Sequence, residues 1–173
     1  MAGQTYPHIE VLFISDCSTD ATLAIANSYQ GRNPGLRVLD KPNGGKASAL
    51  NHGLAHATGQ IIVTVDADSV LAPDAITQVV TSFAVDNVVA VAGNVRIANR
   101  DSLLGKQLAA EYMTGLSLLR ASFAEIGAVQ VIPGALGGFR ASAQSAVGGY
   151  ASDTPLEDMD ITIEHGSSGG KVL

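Results

Sequence analysis

Three places in the chain put carboxylates where they could do chemistry. Asp66-Ala67-Asp68 carries two acids at i and i+2, and on a turn both can face one cleft. Such a pair suits a hard divalent cation, Mg²⁺ or Mn²⁺, which keeps positions open for phosphate oxygens. The same spacing also serves to cap a helix or brace a turn. Leu156-Glu157-Asp158-Met159-Asp160 sets three acids within five residues. A carboxylate crowded by others is harder to ionise, which lifts its pKa toward the range of a general base. A helix dipole also favours acids at a helix start. Asp16 is the third, directly after an apolar run.

Two further segments could meet a ligand through backbone. Asn43-Gly44-Gly45-Lys46 can offer N–H groups and one cation to a phosphate, although it lacks the Walker A spacing and also fits an ordinary strand-to-helix turn. Gly134-Ala135-Leu136-Gly137-Gly138-Phe139-Arg140 carries three glycines, which allow close backbone approach or simply punctuate a loop. Gly148-Gly149-Tyr150 adds an aromatic whose face would suit a sugar ring. His8, His52, His56 and His165 form no metal-binding spacing, and Cys17 is a loop residue rather than a nucleophile.

The elements that must position these residues alternate. Ile9–Ser15 and Gln60–Val65 are nearly continuous apolar runs, expected of strands buried in a parallel sheet. Leu36–Leu39, Val88–Ala92 and Val129–Ile132 are shorter strands. Helices are expected over Ala21–Tyr29, Lys46–Ala57, Asp74–Phe83, Ser142–Val147 and Glu157–His165. Leu103–Phe123 is a long helix capped by Asp101 or Ser102. Its Leu104, Leu108, Tyr112, Leu116, Leu119 and Phe123 form one apolar stripe, expected to face the core, with a membrane surface or a neighbouring helix as the alternative it could also rest on. Pro133–Arg140 is expected to be a glycine-rich turn. Alternating strands and helices specify an α/β fold, and in open α/β sheets ligands bind beyond the carboxyl ends of the strands, where Asp16 and Asp66 fall.

The chain has 173 residues, 46% hydrophobic and 15% charged, with a formal charge of −6. That charge content is low against about 25% for an ordinary soluble domain. An acidic, charge-poor chain lacks the basic surface that non-specific nucleic-acid binding needs. No run of apolar residues is long enough to span a membrane.

Taken together, six segments resemble family 2 glycosyltransferases: IEVLFISDCSTDAT, NGGKASALNHGL, VTVDADS, PGALGGFR, GGY and LEDMDIT, in the family's order. Within that family the look is that of membrane polysaccharide synthases. The resemblance implies the GT-A, Rossmann-like α/β fold, with a mostly parallel central sheet flanked by helices. It implies one domain over 1–173, with a nucleotide-sugar half (1–98) and an acceptor and catalytic-base half (99–173). Asp16 matches the residue that contacts uracil, and Lys46 the basic residue near the nucleotide. Asp66 and Asp68 match the D-x-D pair that binds the sugar nucleotide and its Mg²⁺ or Mn²⁺. Gly138, Phe139 and Arg140 match a loop beside donor sugar and acceptor. Asp158 matches the catalytic base, with Glu157 its neighbour. The implied partners are a UDP-sugar and a carbohydrate acceptor, with a parent protein embedded in the membrane and its site on the cytoplasmic face.

Departures from the pattern are Ser15 for the first of two acids, Cys17 for a glycine and Leu156 for a threonine. The family's usual first strand and C-terminal part are expected to be lacking, which implies weak UDP binding by the segment alone. A glycosyltransferase-like binding or scaffolding domain is the competing reading. A nucleotidyltransferase is disfavoured because its basic, glycine-rich N-terminal signature is not seen.

Overall fold

The computed structural model describes residues 3–98, 101–111, 131–152, 154 and 156–173. The elements run β1 (Val11–Asp16), α1 (Thr22–Gln30), β2 (Leu36–Lys41), α2 (Gly45–His56), β3 (Ile61–Thr64), α3 (Ala75–Ser82), β4 (Val88–Ala92), α4 (Leu103–Glu111), β5 (Gly137–Arg140), α5 (Ala141–Ala146), α6 (Glu157–Ser167) and β6 (Lys171–Val172). Apolar runs became strands and the segments between them helices, as alternation requires. Val131 and Ile132 lie in no strand, while Val129 falls outside the described residues.

β1 and β2 pair in parallel, from Val11 opposite Leu36 to Asp16 opposite Lys41. The other four strands form a second sheet in the order β3-β5-β4-β6. β4 and β6 are parallel, whereas β5 runs antiparallel to both neighbours. β5 is where the sequence pattern misleads. A glycine-rich turn is expected over Pro133–Arg140, yet Gly137–Arg140 is a strand inside the sheet. Its glycines are there because both sides of the sheet press on it. A Cβ on Gly137 would lie 2.6 Å from the Ile132 side chain, and one on Gly138 would lie 2.5 Å from Val79. Glycine within a strand marks this kind of close approach.

The core lies around this sheet. One cluster gathers Ala90, Ile132, Phe139, Tyr150, Ile161 and Val172, and another gathers Val79, Phe83, Val88 and Val91. α1 and α2 contribute no fully buried residue, and β1 contributes only Ser15. The described part of α4 also departs from expectation. Leu103, Leu104 and Leu108 are exposed and Gly105 is its buried residue, with the Ser102 hydroxyl accepting from the Gly105 N–H at 3.0 Å. The remainder of the expected stripe, Tyr112 to Phe123, lies outside the described residues. Among the described residues no helix is long and apolar enough to cross a membrane.

Candidate active site

The carboxyl end of β1 delivers Asp16, and the loop after β2 brings Gly44 and Gly45 back to meet it. Asp16 Oδ1 accepts from Lys41 Nζ at 2.6 Å and from the Gly44 N–H at 3.0 Å, and Oδ2 accepts from the Gly45 N–H at 2.7 Å. The carboxylate thus satisfies amides at the start of α2, which the helix itself leaves without partners. Gly45 adopts φ 80°, a conformation that favours glycine. The Lys41 hydrogen bond, aided by both amides, holds the Asp16 carboxyl below its usual pKa. Cys17 follows at φ 62°, in the left-handed region where glycine is most at ease.

Anchoring the start of α2 places Lys46, in its first turn, opposite the other acidic segments. Lys46 Nζ lies 2.9 Å from Glu157 Oε1, 3.3 Å from Asp158 Oδ2 and 3.9 Å from Asp66 Oδ1. One ammonium therefore gathers three carboxylates from the loop after β3 and the first turn of α6. The charges tune one another. Burial lifts the Asp158 pKa above the usual carboxylate value, with Glu157 and Asp66 adding to it and Lys46 opposing. Burial also works against ionisation of Glu157, but the Lys46 hydrogen bond, a backbone N–H and the Lys46 charge outweigh it, and its pKa falls. Lys46 is partly desolvated, which disfavours its charge; its carboxylate neighbours more than compensate, and its pKa rises.

Asp66 and Asp68 lie on a turn directly after β3, where the Ser69 N–H donates to the Asp66 carbonyl at 3.0 Å. Asp68 is exposed. Among the described residues no group of three or more His, Cys, Asp or Glu side chains is placed to hold a metal ion. Two hard oxygen donors on an open turn fit a Mg²⁺- or Mn²⁺-type ion, which takes few protein ligands and keeps the rest for water and phosphate. They do not fit a closed structural zinc site, which needs four.

One wall of the site is Gly134, one of the three glycines that the sequence offered for close backbone approach. A Cβ on Gly134 would fall 2.6 Å from Asp158 Oδ2 and 2.7 Å from Lys46 Nζ. The backbone there runs flush against the Asp158 carboxylate and the Lys46 ammonium, and any side chain would push them apart.

Gly138, Phe139 and Arg140, expected beside the substrate, lie elsewhere. β5 is antiparallel to β3, so Gly137 faces Thr64 at the carboxylate end while Arg140 faces Ile61 at the other. That separation is about 10 Å along the strand. Phe139 is 2% exposed in the core. Gly138 lies under Val79 and Phe83. Arg140 Nε donates to the Val88 carbonyl at 2.6 Å and Nη2 to the Phe83 carbonyl at 2.7 Å, with its guanidinium 5.4 Å from the Phe83 ring centroid. These three residues build the sheet that carries the site. Tyr150 likewise offers no open face to a sugar. It is buried, with its ring edge-on to Phe139 at 6.3 Å, and burial raises its hydroxyl pKa. Asn51 of α2 holds its backbone in both directions. Asn51 Nδ2 donates to the Tyr150 carbonyl and Oδ1 accepts from the Tyr150 N–H, each at 2.8 Å.

The histidines do no comparable work. The His52 and His56 rings lie 4.5 Å apart along α2. His165 is fully buried, with Nε2 2.8 Å from Gln144 Oε1.

Comparison with known proteins bears on this arrangement. The family described as "Glycosyl transferase family 2" matches residues 1–145. The chain is 33% identical over 159 residues to poly-beta-1,6-N-acetyl-D-glucosamine synthase of Staphylococcus epidermidis, covering 91% of this chain and 38% of that protein. The Staphylococcus aureus (strain COL) synthase is 33% identical over 158 residues, with the same coverage. The chain therefore spans well under half the length of these relatives. Among solved structures, a mannosyltransferase from Pyrobaculum calidifontis in complex with GDP-Man and Mn²⁺ superposes with a TM-score of 0.83 at 27% identity, over 99% of this chain and 47% of that one. S. aureus TarS superposes at 0.73 with 18% identity, over 99% and 31%, and shares the fold.

Proposed function

The chain belongs to glycosyl transferase family 2, and from that premise we propose that it moves a sugar from a UDP-sugar to a hydroxyl of a carbohydrate acceptor, with inversion. The observation that carries this reading is the convergence of Asp158, Glu157 and Asp66 on Lys46. It unites a base of raised pKa with a carboxylate of the D-x-D pair and a cation suited to phosphate.

Asp158 takes the proton from the acceptor hydroxyl. That oxygen bonds to the anomeric carbon as the bond from carbon to the UDP oxygen breaks, and the electron pair leaves with UDP. The raised pKa suits Asp158 to this role at moderate pH. Glu157 keeps Lys46 beside the base. Lys46 faces the leaving diphosphate, and Asp16, its carboxylate held by Lys41 and the Gly44 and Gly45 amides, meets the uracil, the role that the family resemblance implies for it. Asp66 and Asp68 would hold Mg²⁺ or Mn²⁺, an ion that supplies positive charge where the diphosphate gains negative charge. A site walled by carboxylates would otherwise repel such a donor.

N-acetylglucosamine is the donor sugar in this reading, and a growing polysaccharide the acceptor; the named activity of the staphylococcal relatives supports both. The Pyrobaculum mannosyltransferase in complex with GDP-Man and Mn²⁺ supports the metal. Attachment to a membrane, with the site on its cytoplasmic face, belongs to the same proposal.

The test is UDP release from UDP-N-acetylglucosamine with Mn²⁺ by the protein at its natural length, comparing Asp158→Asn with the parent. We expect the variant to fold and to lose on the order of 10²- to 10⁴-fold in kcat, the range for removing a general base. Undiminished turnover in Asp158→Asn would refute the assignment.

A further inference from the structure

We propose that Thr162 is a positioning residue for the general base, fixing Asp158 and the loop that walls it through a single hydroxyl. The inference rests on the reading of Asp158 as base. Asp158 is the second residue of α6, and helix ends fray unless something holds them. The residue before the helix, Leu156, makes no side-chain cap. Thr162, one turn further on, supplies the hold. Its Oγ1 donates to the Asp158 carbonyl at 2.6 Å and accepts from the Ile132 N–H at 2.9 Å.

Those two bonds join distant parts of the chain. Ile132 is 2% exposed and belongs to the larger core cluster, so the hydroxyl ties the base-bearing turn to the rigid part of the molecule. Two residues after Ile132 comes Gly134, whose backbone lies flush against the Asp158 carboxylate and Lys46. One hydroxyl therefore sets both the backbone beneath the base and the wall beside it. A bond from threonine back to the carbonyl four residues earlier does little for a helix and tends to bend it. Here the same oxygen satisfies a buried backbone N–H that would otherwise be orphaned. The branched Cβ restricts the side-chain torsion, which helps to hold the oxygen between its two partners. Thr162 itself is 2% exposed, so it does not reach substrate.

The test compares Thr162→Val, of the same shape without the hydroxyl, with Thr162→Ser, which keeps it. The readout is UDP release by the protein at its natural length, with Asp158→Asn as control. We expect Thr162→Val to lower kcat by roughly ten- to a hundredfold, the scale set by displacing a catalytic group by about 1 Å. Donor KM should stay within about twofold of the parent, because both hydrogen-bond partners of the hydroxyl, Asp158 and Ile132, lie outside the nucleotide half, and Thr162→Ser should recover most of the rate. Should Thr162→Val not fold, Thr162→Cys, with its weaker S–H donor, carries the test, and an intermediate loss of kcat at unchanged KM is expected. A parental kcat in the folded variant, or a loss carried by KM alone, overturns the inference. If Asp158→Asn is inactive while Thr162→Val keeps the parental kcat, this inference alone fails. If Asp158→Asn is itself fully active, the base assignment falls and takes this inference with it.

Discussion

The half of the molecule built from β1, α1, β2 and α2 and the half built around β5 are made of similar apolar runs but packed differently. β1 begins with four apolar residues, Val11 to Ile14, yet among its residues only Ser15 is buried, while Val88, Ala90 and Val91 of the wholly apolar β4 are buried. Among the described residues β1 pairs only with β2, whereas β4 lies between β5 and β6. The difference teaches where the chemistry is anchored. The more open half supplies a carboxylate, Asp16, the backbone amides of Gly44 and Gly45 that it holds, and a cation, Lys46. The enclosed half supplies Asp158, the proposed base, on a helix whose Ile161, Thr162 and His165 are buried. α2 is the joint. Its Gly53 packs on Ile14 of β1, its Leu50 and Leu54 pack on the core, and its Asn51 clamps Tyr150.

This contrast can be broken by experiment. Phe139→Ala should cost about 3–5 kcal/mol in denaturant unfolding, as for a large ring removed from a close-packed core. Phe13→Ala in β1, where the ring is only half-buried, should cost at most about 2 kcal/mol. Equal losses would mean the two halves are packed alike. Next in size is the joint. Asn51→Ala strands the N–H and carbonyl of buried Tyr150, at about 1–3 kcal/mol, and should raise amide exchange at Tyr150 more than at Ile14.

The smallest expected effect is electrostatic. Lys46→Met removes the charge that lowers the pKa of both Asp158 and Glu157. The base must be ionised to work, so the acid limb of the rate–pH profile should move to higher pH, while a limb that stays in place would show that the two halves are not coupled through Lys46. The signs for stability oppose each other. Glu157 has a lowered folded pKa, so its contribution is present above its ordinary 4.5 and is lost as pH falls through the folded value. Asp158 has a raised one, so its contribution is present below its ordinary 3.8 and is lost as pH rises through the folded value. In Lys46→Met the Glu157 contribution should shrink, so the variant should lose less stability than the parent on acidification, each measured from its own optimum.

Much of this protein was legible without coordinates. The apolar runs marked β1, β3 and β4, and the breaks between them marked α1, α2 and α3 to within a residue or two. The α/β class with the GT-A architecture follows from that alternation and from the family motifs, and it is borne out by the solved neighbours. Asp66, Glu157, Asp158 and Lys46 could be singled out because they stand in segments that resemble the family's motifs; their spacing alone also fitted a helix cap or an ordinary turn. Gly137 and Gly138 misled because glycine in a loop and glycine under a packed side chain look identical in one sequence. Tyr150 suggested an open aromatic face for the same reason: burial depends on neighbours far along the chain. Thr162 and Asn51 lay inside recognised motifs, but nothing local indicates that their partners are Ile132 and Tyr150.

The sequence by itself determined the order of elements, the identity of the acids and the one lysine among them, because hydrophobic period and residue chemistry are local properties. Tertiary structure alone decided that β5 reverses direction inside the sheet, which carries Arg140 away from the carboxylates and brings Gly134 against Asp158. It also decided that Lys46 meets an aspartate 112 residues away. Such pairings depend on how separate elements pack, and that packing is fixed only when every close approach across the sheet is satisfied at once.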